Sequence, residues 1–299
     1  MDLLAIYILQ DITSNLYHKL IDFSVGRYPL FLFVKRYDVS PKLKQKGEAV
    51  IQAFSPFLKD KLQLKEWPGT RTAKEADVFY YHLTHQSAKL LKQNSRSLYT
   101  WLSPDLPDDM CIMRNMRQPW LRNTSHENFA TFFIAESEME ELINSIPELK
   151  LYLGYGLIKL KIDVFFTVID YAQKTNSYIS IVVHDKHPSS EKTKEFIDKM
   201  TPFFVKKEIG NDKELGQIRI YDCIIQSKNP EVVKQAANLI HNWIQPDFSG
   251  NLCFLYPNRE PWLVFDFRRR ISYIPLVSEE KNKIFNELPY LKSYIDKIN

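Results

Sequence analysis

The chain has 299 residues, of which 44% are hydrophobic and 25% are charged, and its formal net charge at pH 7 is +4. These values are typical of a soluble globular protein of two domains, and the positive excess falls well short of the basic stripe of a dedicated nucleic-acid-binding protein. No apolar run reaches the roughly 18 residues of a membrane helix, and the N-terminal stretch lacks the basic flank of a signal peptide, so we expect a cytoplasmic protein without membrane contact.

Residue types that hold cofactors are few. The three cysteines, Cys111, Cys223 and Cys253, have neither the spacing of a metal site nor the even number of a disulfide framework. The eight glycines are scattered, and the stretch 154–156 lacks the third glycine of a dinucleotide-binding fingerprint. We therefore expect reduced thiols, no metal and no cofactor.

The first third of the chain alternates helical and strand patterns. A helical apolar pattern ends at Ile21, and the apolar run Leu30–Val34 predicts a strand buried on both faces. Residues 50–58 again carry apolar side chains at helical spacing, and Pro56 should bend or end that helix. The connection that follows carries Trp67, on a loop that is either a contact point or folded onto its own domain.

The next third predicts a strand, a helix and a hairpin. A strand is predicted at Asp77–Thr84, and the helix after it ends at Trp101. Met110–Met113 forms a short strand, and a turn of about five residues before Pro119 suggests a β-hairpin. A last helix closes this half of the chain near residue 150.

The second half of the chain repeats this order. The run WIQPDFSGNLCFLYPNREPWL at 243–263 aligns without a gap with WLSPDLPDDMCIMRNMRQPWL at 101–121. Tryptophan, proline, aspartate and cysteine recur at the same places, and four of the five tryptophans lie in these two segments. The repetition indicates a tandem duplication, whose shared tryptophans should be buried scaffold.

The sequence thus predicts an α+β protein made of two copies of an α-β-α-β-α-β-β-α unit, at residues 1–150 and 151–299. The strand-helix-strand part predicts a parallel crossover that feeds an antiparallel hairpin, and therefore a mixed sheet. We expect the two units to pack with an approximate twofold.

The run SLYTWLSPDLPDDMCIMRNMRQPWLRNTSHEN at 97–128 resembles a poorly characterised family of small proteins from spore-forming Gram-positive bacteria, some of them labelled stage III sporulation protein AH. The resemblance covers the first repeat best and the second more loosely. It implies no reaction and no catalytic residues.

A few polar residues are candidates for catalysis. His126 with Glu127 could supply a general base, and Asp105 is an acid kept in both repeats. However, neighbours along a strand point to opposite faces, so Ser125, His126 and Glu127 should not converge as a catalytic triad does. Asp105 follows a proline, where a turn or capping role is the alternative.

Other residues are candidates for binding. Arg268, Arg269 and Arg270 form a basic run near Arg259, and they suit either a solvated face or a contact with an anion or acidic partner. Trp67 suits a contact point or a loop folded onto its own domain.

Three functions stay open. The leading hypothesis is a non-catalytic binding or regulatory protein of bacterial or phage origin, of the inhibitor, immunity or adaptor type, which presents two diverged copies of one domain to an acidic protein partner. The second is a hydrolase or transferase that uses His126 and Glu127 in a groove between the repeats. The third is nucleic-acid binding through the more basic second repeat.

Overall fold

The computed structural model describes residues 3–36, 45–158, 160–184, 198, 201, 204–212, 216–224, 250–266, 271–276 and 281–298. The chain divides into two compact units, Met1–Gly154 with Lys297–Asn299, and Tyr155–Asp296. It is a mixed α and β protein with a large antiparallel sheet. None of the described helices is long and apolar enough to span a membrane.

The strands of unit 1 are β1 (Leu3–Ile8), β2 (Leu30–Lys35), β3 (Leu58–Trp67), β4 (Thr70–His82), β5 (Asp108–Met113), β6 (Pro119–Thr124) and β7 (Phe129–Ile134). Its helices are α1 (Ser14–Ser24), α2 (Gln45–Ala53), α3 (His85–Asn94) and α4 (Glu136–Ser145), and short 3-10 turns cover Ser55–Phe57, Ser125–Glu127 and Pro147–Tyr152. The strands are hydrogen-bonded in the order β1-β7-β6-β5-β2-β4-β3.

The strands of unit 2 are β8 (Leu153–Leu157), β9 (Tyr178–His184), β10 (Phe204–Asp212), β11 (Gly216–Ile224), β12 (Gly250–Leu255), β13 (Pro261–Asp266) and β14 (Ile271–Pro275). Its described helices are α5 (Ile162–Lys174) and α6 (Lys281–Glu287), with a 3-10 turn at Pro289–Tyr294. The strand order is β8-β14-β13-β12-β9-β11-β10, the same relative order as in unit 1. A last strand, β15 (Lys297–Ile298), pairs with β1 in unit 1.

The predicted strands at 30–34 and 178–182 are confirmed as β2 and β9, and the predicted hairpin is β5 with β6. The helix before Pro56 is confirmed to end there, since α2 stops at Ala53 and a 3-10 turn follows. The remainder of that helical pattern is wrong, because Leu58 begins β3. The strands β1, β3 and β7 were not predicted from the sequence.

The prediction of a mixed sheet with a parallel crossover is wrong for the described pairs. β2 runs antiparallel to both of its neighbours, β4 and β5. The reason is β3, which pairs antiparallel with β4 and reverses the chain once more between β2 and β4. β3 lies in a charged segment and is not recognisable from the sequence pattern. This additional strand reverses the direction of β4.

One face of the sheet in unit 1 carries an aromatic cluster. Phe33 stacks on Trp101 with ring centroids 4.7 Å apart, and the Trp101 indole N–H donates to the Tyr17 hydroxyl of α1 over 2.9 Å. Trp101, Trp120 and Trp262 are all fully buried, which confirms their prediction as scaffold. The fourth signature tryptophan, Trp243, lies outside the described residues.

The opposite face of the same sheet carries an aliphatic cluster that closes under the β3–β4 hairpin. Its buried members are Leu30, Leu32, Val34, Trp67, Ala76, Val78, Tyr80, Cys111 and Met113. Because Trp67 is the last residue of β3, the tip of the hairpin is part of the core. Burial on both faces explains why β2 is a continuous apolar run.

Arg114, in the turn after β5, ties that turn to helix α4. Its guanidinium donates to both carboxylate oxygens of Glu138 over 2.7 Å, and the Ala135 backbone N–H donates to Glu138 over 2.9 Å. Partial burial alone would raise the pKa of Glu138, but these hydrogen bonds to the ionised form outweigh it and lower the pKa.

Candidate functional site

Asp109 is the carboxylate on which several segments of unit 1 converge. It lies near the start of β5, its side chain is fully buried, and its φ of 54° is in the left-handed region that L-residues seldom adopt. The groups that contact its carboxylate come from Trp67, Thr70, Ser125 and His126. A strained, buried carboxylate with convergent partners occurs both in functional sites and in structural clamps.

Trp67 and Thr70 bring the tip of the β3–β4 hairpin to this carboxylate. The Trp67 indole N–H donates to Asp109 Oδ2 over 2.9 Å, and the Thr70 hydroxyl donates to the same oxygen over 3.3 Å. Trp67 is only 3% exposed. Of the two interpretations of Trp67, this agrees with a segment folded onto its own domain and not with an exposed contact point, because the indole N–H has a buried acceptor and the ring joins the core.

Gly69 allows this close approach of the hairpin tip. Its φ is +86°, and a Cβ atom there would clash with Thr124 Oγ1 and lie 2.9 Å from Arg122 Cδ. Both partner residues belong to β6. Glycine is therefore required at this turn for its backbone conformation and for lack of space.

His126 lies in the 3-10 turn after β6, which ends at Asn128 with a φ of 50°. Its Nδ1 atom is 3.4 Å from Asp109 Oδ1, and its side chain is 29% exposed. The Ser125 backbone N–H donates to the same oxygen over 2.9 Å. The carboxylate lies beside the imidazole, as in general-base pairs, but at a longer distance than the hydrogen bond that orients the histidine in such pairs.

A nucleophile beside this pair is missing from the described part of the chain. The Ser125 hydroxyl accepts a hydrogen bond from the Asn123 amide over 2.8 Å and is buried. Burial raises the pKa of the Cys111 thiol to about 12, so it stays protonated and unreactive at neutral pH. Neither group is hydrogen-bonded to His126.

The other catalytic candidates do not join the Asp109 group. Glu127 and Asp105 are exposed, whereas Asp109 is fully buried. The expected strand at 125–127 is also wrong, since these residues form a 3-10 turn. The turn directs the Ser125 N–H and His126 Nδ1 toward the same carboxylate oxygen, which alternation along a strand would not allow.

Asp108 is a second buried carboxylate, next to Asp109 in the sequence. The Ser103 backbone N–H and hydroxyl donate to it over 2.8 and 2.9 Å, and Arg36 Nε donates over 3.1 Å. Burial raises the pKa of Asp108, because these hydrogen bonds and the Arg36 charge offset only part of its desolvation.

A small cleft lies beside Asp108. It encloses about 310 Å³, including its part open to solvent, and is lined by Val34, Lys35, Arg36, Gly47, Glu48, Ile51, Ser103, Pro104, Leu106 and Pro107. Its cationic groups are paired, Lys35 with Glu48 over 2.7 Å and Arg36 with Asp108. The cleft therefore does not offer an uncompensated positive charge to an anion.

The β3–β4 hairpin carries more basic than acidic side chains. Residues 58–75 carry five basic and three acidic side chains, and the basic ones are all exposed: Lys59, Lys61, Lys65, Arg71 and Lys74. Long alternating charged side chains are typical of the exposed face of an edge strand. This surface can contact an acidic partner.

Of the predicted basic residues in the second half of the chain, Arg259 is described. It lies in the turn between β12 and β13 with a φ of 70°, and its guanidinium stacks over the Tyr178 ring at 3.9 Å from the centroid. Arg268, Arg269 and Arg270 lie outside the described residues, as does Asp247, the repeat counterpart of Asp105.

Among the described residues, no group of three or more histidine, cysteine, aspartate or glutamate side chains could hold a metal ion. Comparison of the chain with protein-family models, with curated proteins and with solved structures finds no match in any of the three.

Sequence reasoning missed Asp108, Asp109, Arg36 and Ser103. The signal that could have found the aspartates is their position, a pair of acids at the start of an otherwise apolar strand, where a carboxylate needs a partner in order to be buried. No comparable signal marks Arg36, because its partner Asp108 is 72 positions away, or Ser103, although it is only five positions from Asp108.

Proposed function

We propose that this chain is a cytoplasmic, non-catalytic binding protein, built from two copies of one α/β unit, that recognises an acidic surface on another protein. The observation that supports the proposal is that side chains of reactive type have structural roles in unit 1. Asp109 and Ser125 are bonded to neighbouring segments, and Cys111 is a buried neutral thiol. Cys111 and Cys253 form no disulfide within the described part of the chain, which fits a reducing compartment.

Two observations support the duplication. The two units have their strands in the same relative order, and the segments 108–113 and 250–255 with cysteine at the same place are strands β5 and β12. The polar residues differ, however, because Asp108 and Asp109 correspond to Gly250 and Asn251. Copies that share a scaffold and differ in polar groups suit recognition of a partner by one copy more than a repeated reaction.

The charge distribution supports an acidic partner. The chain has a net charge of +4, and the exposed cations of the β3–β4 hairpin, together with Arg259, provide positive surface. Complementary charge raises association rates and selects against cationic partners. Surface of this kind binds a protein carboxylate patch without a preformed pocket.

The test is binding of a dye-labelled peptide rich in glutamate and aspartate, measured by fluorescence anisotropy at physiological salt. A lysine-rich peptide and a DNA duplex serve as comparison ligands. We expect the acidic peptide to bind, and the triple variant Arg259→Glu, Arg268→Glu, Arg269→Glu or a charge reversal on the hairpin to weaken it. The double variant Lys89→Glu, Lys150→Glu is the control, since both lysines are exposed elsewhere in unit 1.

Absence of acidic-peptide binding would overturn the proposal. Preferential binding of the DNA duplex, with an affinity that falls steeply as salt rises, would replace it with a nucleic-acid-binding function.

A second candidate function is a hydrolase or transferase at His126, which the Asp109 carboxylate behind the imidazole favours. It predicts turnover of an ester or phosphoester substrate that is lost in His126→Asn while the circular dichroism spectrum is unchanged. Equal turnover by the variant and the parent protein would remove this candidate.

A further inference from the structure

β3 is the end strand of the sheet in unit 1. Its hydrogen-bonded neighbour is β4, with paired residues from Leu58 and Tyr81 to Trp67 and Thr70 and with register shifts at Lys59 and at Lys65. Within the described part of the chain no other strand pairs with β3. The regular stretch between the two shifts, residues 60–64, presents backbone groups on its outer edge, and the Lys61 N–H donates to Asp60 Oδ1 over 2.8 Å. Such an edge is a template for an added strand.

The hairpin that carries this edge is held in place before any partner arrives. The Trp67 indole N–H is bonded to the buried Asp109 carboxylate, and Gly69 packs directly on β6. A strand that is already ordered loses little conformational freedom on binding. β3 is therefore better suited to bind an extended segment than a mobile loop of the same sequence would be.

The side chains of β3 select the chemistry of the partner. Lys59, Lys61 and Lys65 are exposed along it, and Leu58 is 43% exposed at its start. Lys61 keeps an ion pair with Asp77 over 2.9 Å, although its own side chain is 47% exposed. An added strand would meet a row of lysines with one apolar contact at the end.

The same lysines disfavour pairing of β3 with a second copy of the chain. Antiparallel pairing centred on Gln63 sets Lys61 opposite Lys65 and Asp60 opposite Glu66. Pairing centred on Leu62 instead sets Lys59 opposite Lys65. Like charges directly opposite one another are destabilising, whereas carboxylates in those positions are attractive.

We infer that the regular stretch of β3, residues 60–64, binds an extended acidic peptide segment of the partner as an additional strand, with Lys59 and Lys65 at its two ends attracting glutamate or aspartate side chains. This inference rests on the proposed function and names its surface and its partner chemistry. Backbone hydrogen bonds to the free edge of β3 supply the geometry, and the lysines supply the preference for acidic sequence.

The test uses the full chain and a peptide of alternating glutamate and valine, matched in length to β3. A second peptide has the same sequence with its alternate backbone amides N-methylated, which keeps the charge and blocks strand pairing. Binding is measured by fluorescence anisotropy, and amide exchange of residues 58–67 is followed by mass spectrometry with and without peptide.

We expect the unmodified peptide to bind, the N-methylated peptide to bind about tenfold more weakly or less, and exchange of 58–67 to slow on binding. The variant Lys59→Glu, Lys65→Glu should weaken binding by about tenfold. These two lysines make no described ion pair, so their reversal should leave the fold intact. The control is again Lys89→Glu, Lys150→Glu.

Three outcomes would overturn the inference, and they differ from failure of the proposed function. Equal binding of both peptides would leave an acidic-partner function without strand addition. Peptide binding that is insensitive to Lys59→Glu, Lys65→Glu but lost on reversal of Arg259 would move the contact elsewhere. Self-association in sedimentation experiments that is abolished by Gln63→Pro would show that β3 pairs with a second copy of the chain. Absence of binding by any acidic ligand would overturn both proposals.

Discussion

Substitution of Gly69 by alanine tests how the β3–β4 hairpin is fixed to the rest of unit 1. The new Cβ would have to adopt a φ of +86° and would clash with Thr124 Oγ1 while lying 2.9 Å from Arg122 Cδ. A left-handed conformation costs an alanine about 1 to 2 kcal/mol, and overpacking at a rigid contact costs about 1 to 3 kcal/mol more. We therefore expect Gly69→Ala to destabilise the hairpin by about 2 to 5 kcal/mol.

Gly26→Ala is the matched control. Gly26 has a similar φ of +78°, but nothing lies within 4 Å of a Cβ placed there. Its substitution should cost the conformational part alone, about 1 to 2 kcal/mol. The difference between the two variants therefore measures the steric contact of the hairpin tip with β6.

The measurement is native-state hydrogen exchange of the β3 and β4 amides, which reports the free energy of local opening rather than the unfolding of a two-unit chain. Adding Thr124→Ala to Gly69→Ala removes the atom that clashes, so the double variant should be more stable than the sum of the single effects. Equal costs for Gly69→Ala and Gly26→Ala would refute the close contact.

Three further outcomes follow from the same geometry. Trp67→Phe leaves the buried Asp109 carboxylate with one donor fewer and should destabilise the chain by about 2 kcal/mol in urea, and a change below about 0.5 kcal/mol would argue against that hydrogen bond. Cys111 should be alkylated only after unfolding, because its thiol is buried and its pKa is raised to about 12, so rapid labelling of the native protein would contradict its placement. Glu138→Gln should lower the unfolding free energy at pH 7 by about 1 kcal/mol, and since the pKa of Glu138 is lowered, the difference from wild type should shrink as the pH falls through the ordinary glutamate pKa of 4.5 and disappear once the pH is below the lowered pKa. Glu140→Gln, an exposed change on the same helix, is its control and should have little effect at any pH.

The sequence is sufficient to predict strands that are buried on both faces. β2 and β9 are short apolar runs bounded by polar residues. A run that is apolar at nearly every position is typical of a strand buried on both faces. β3 is different, because it is an edge strand with one apolar face and its other positions are lysine, glutamine and aspartate. The helical spacing of apolar residues before β3 extends to Leu58, so the start of the strand cannot be recognised from the sequence.

The candidate site was only partly predictable for a related reason. His126 was identified from its residue type, but its partner Asp109 and the role of Trp67 depend on contacts across the sheet. Trp67 and Asp109 are 42 positions apart in the chain. No local pattern links an indole N–H to a carboxylate at that separation, so the buried use of Trp67 required the folded structure.

The two adjacent aspartates explain how one short strand organises unit 1. Successive side chains of a strand point to opposite faces, so Asp108 bonds Ser103 and Arg36 while Asp109 bonds the hairpin tip and the turn at Ser125. Unit 2 has Gly250 and Asn251 at these positions, and neither side chain can carry a negative charge. A carboxylate at this place in the strand is thus specific to unit 1. If the partner adds a strand to β3, recognition is a property of unit 1. A substitution of Asp109 should then weaken peptide binding, because it displaces the hairpin, although every exposed lysine is still present.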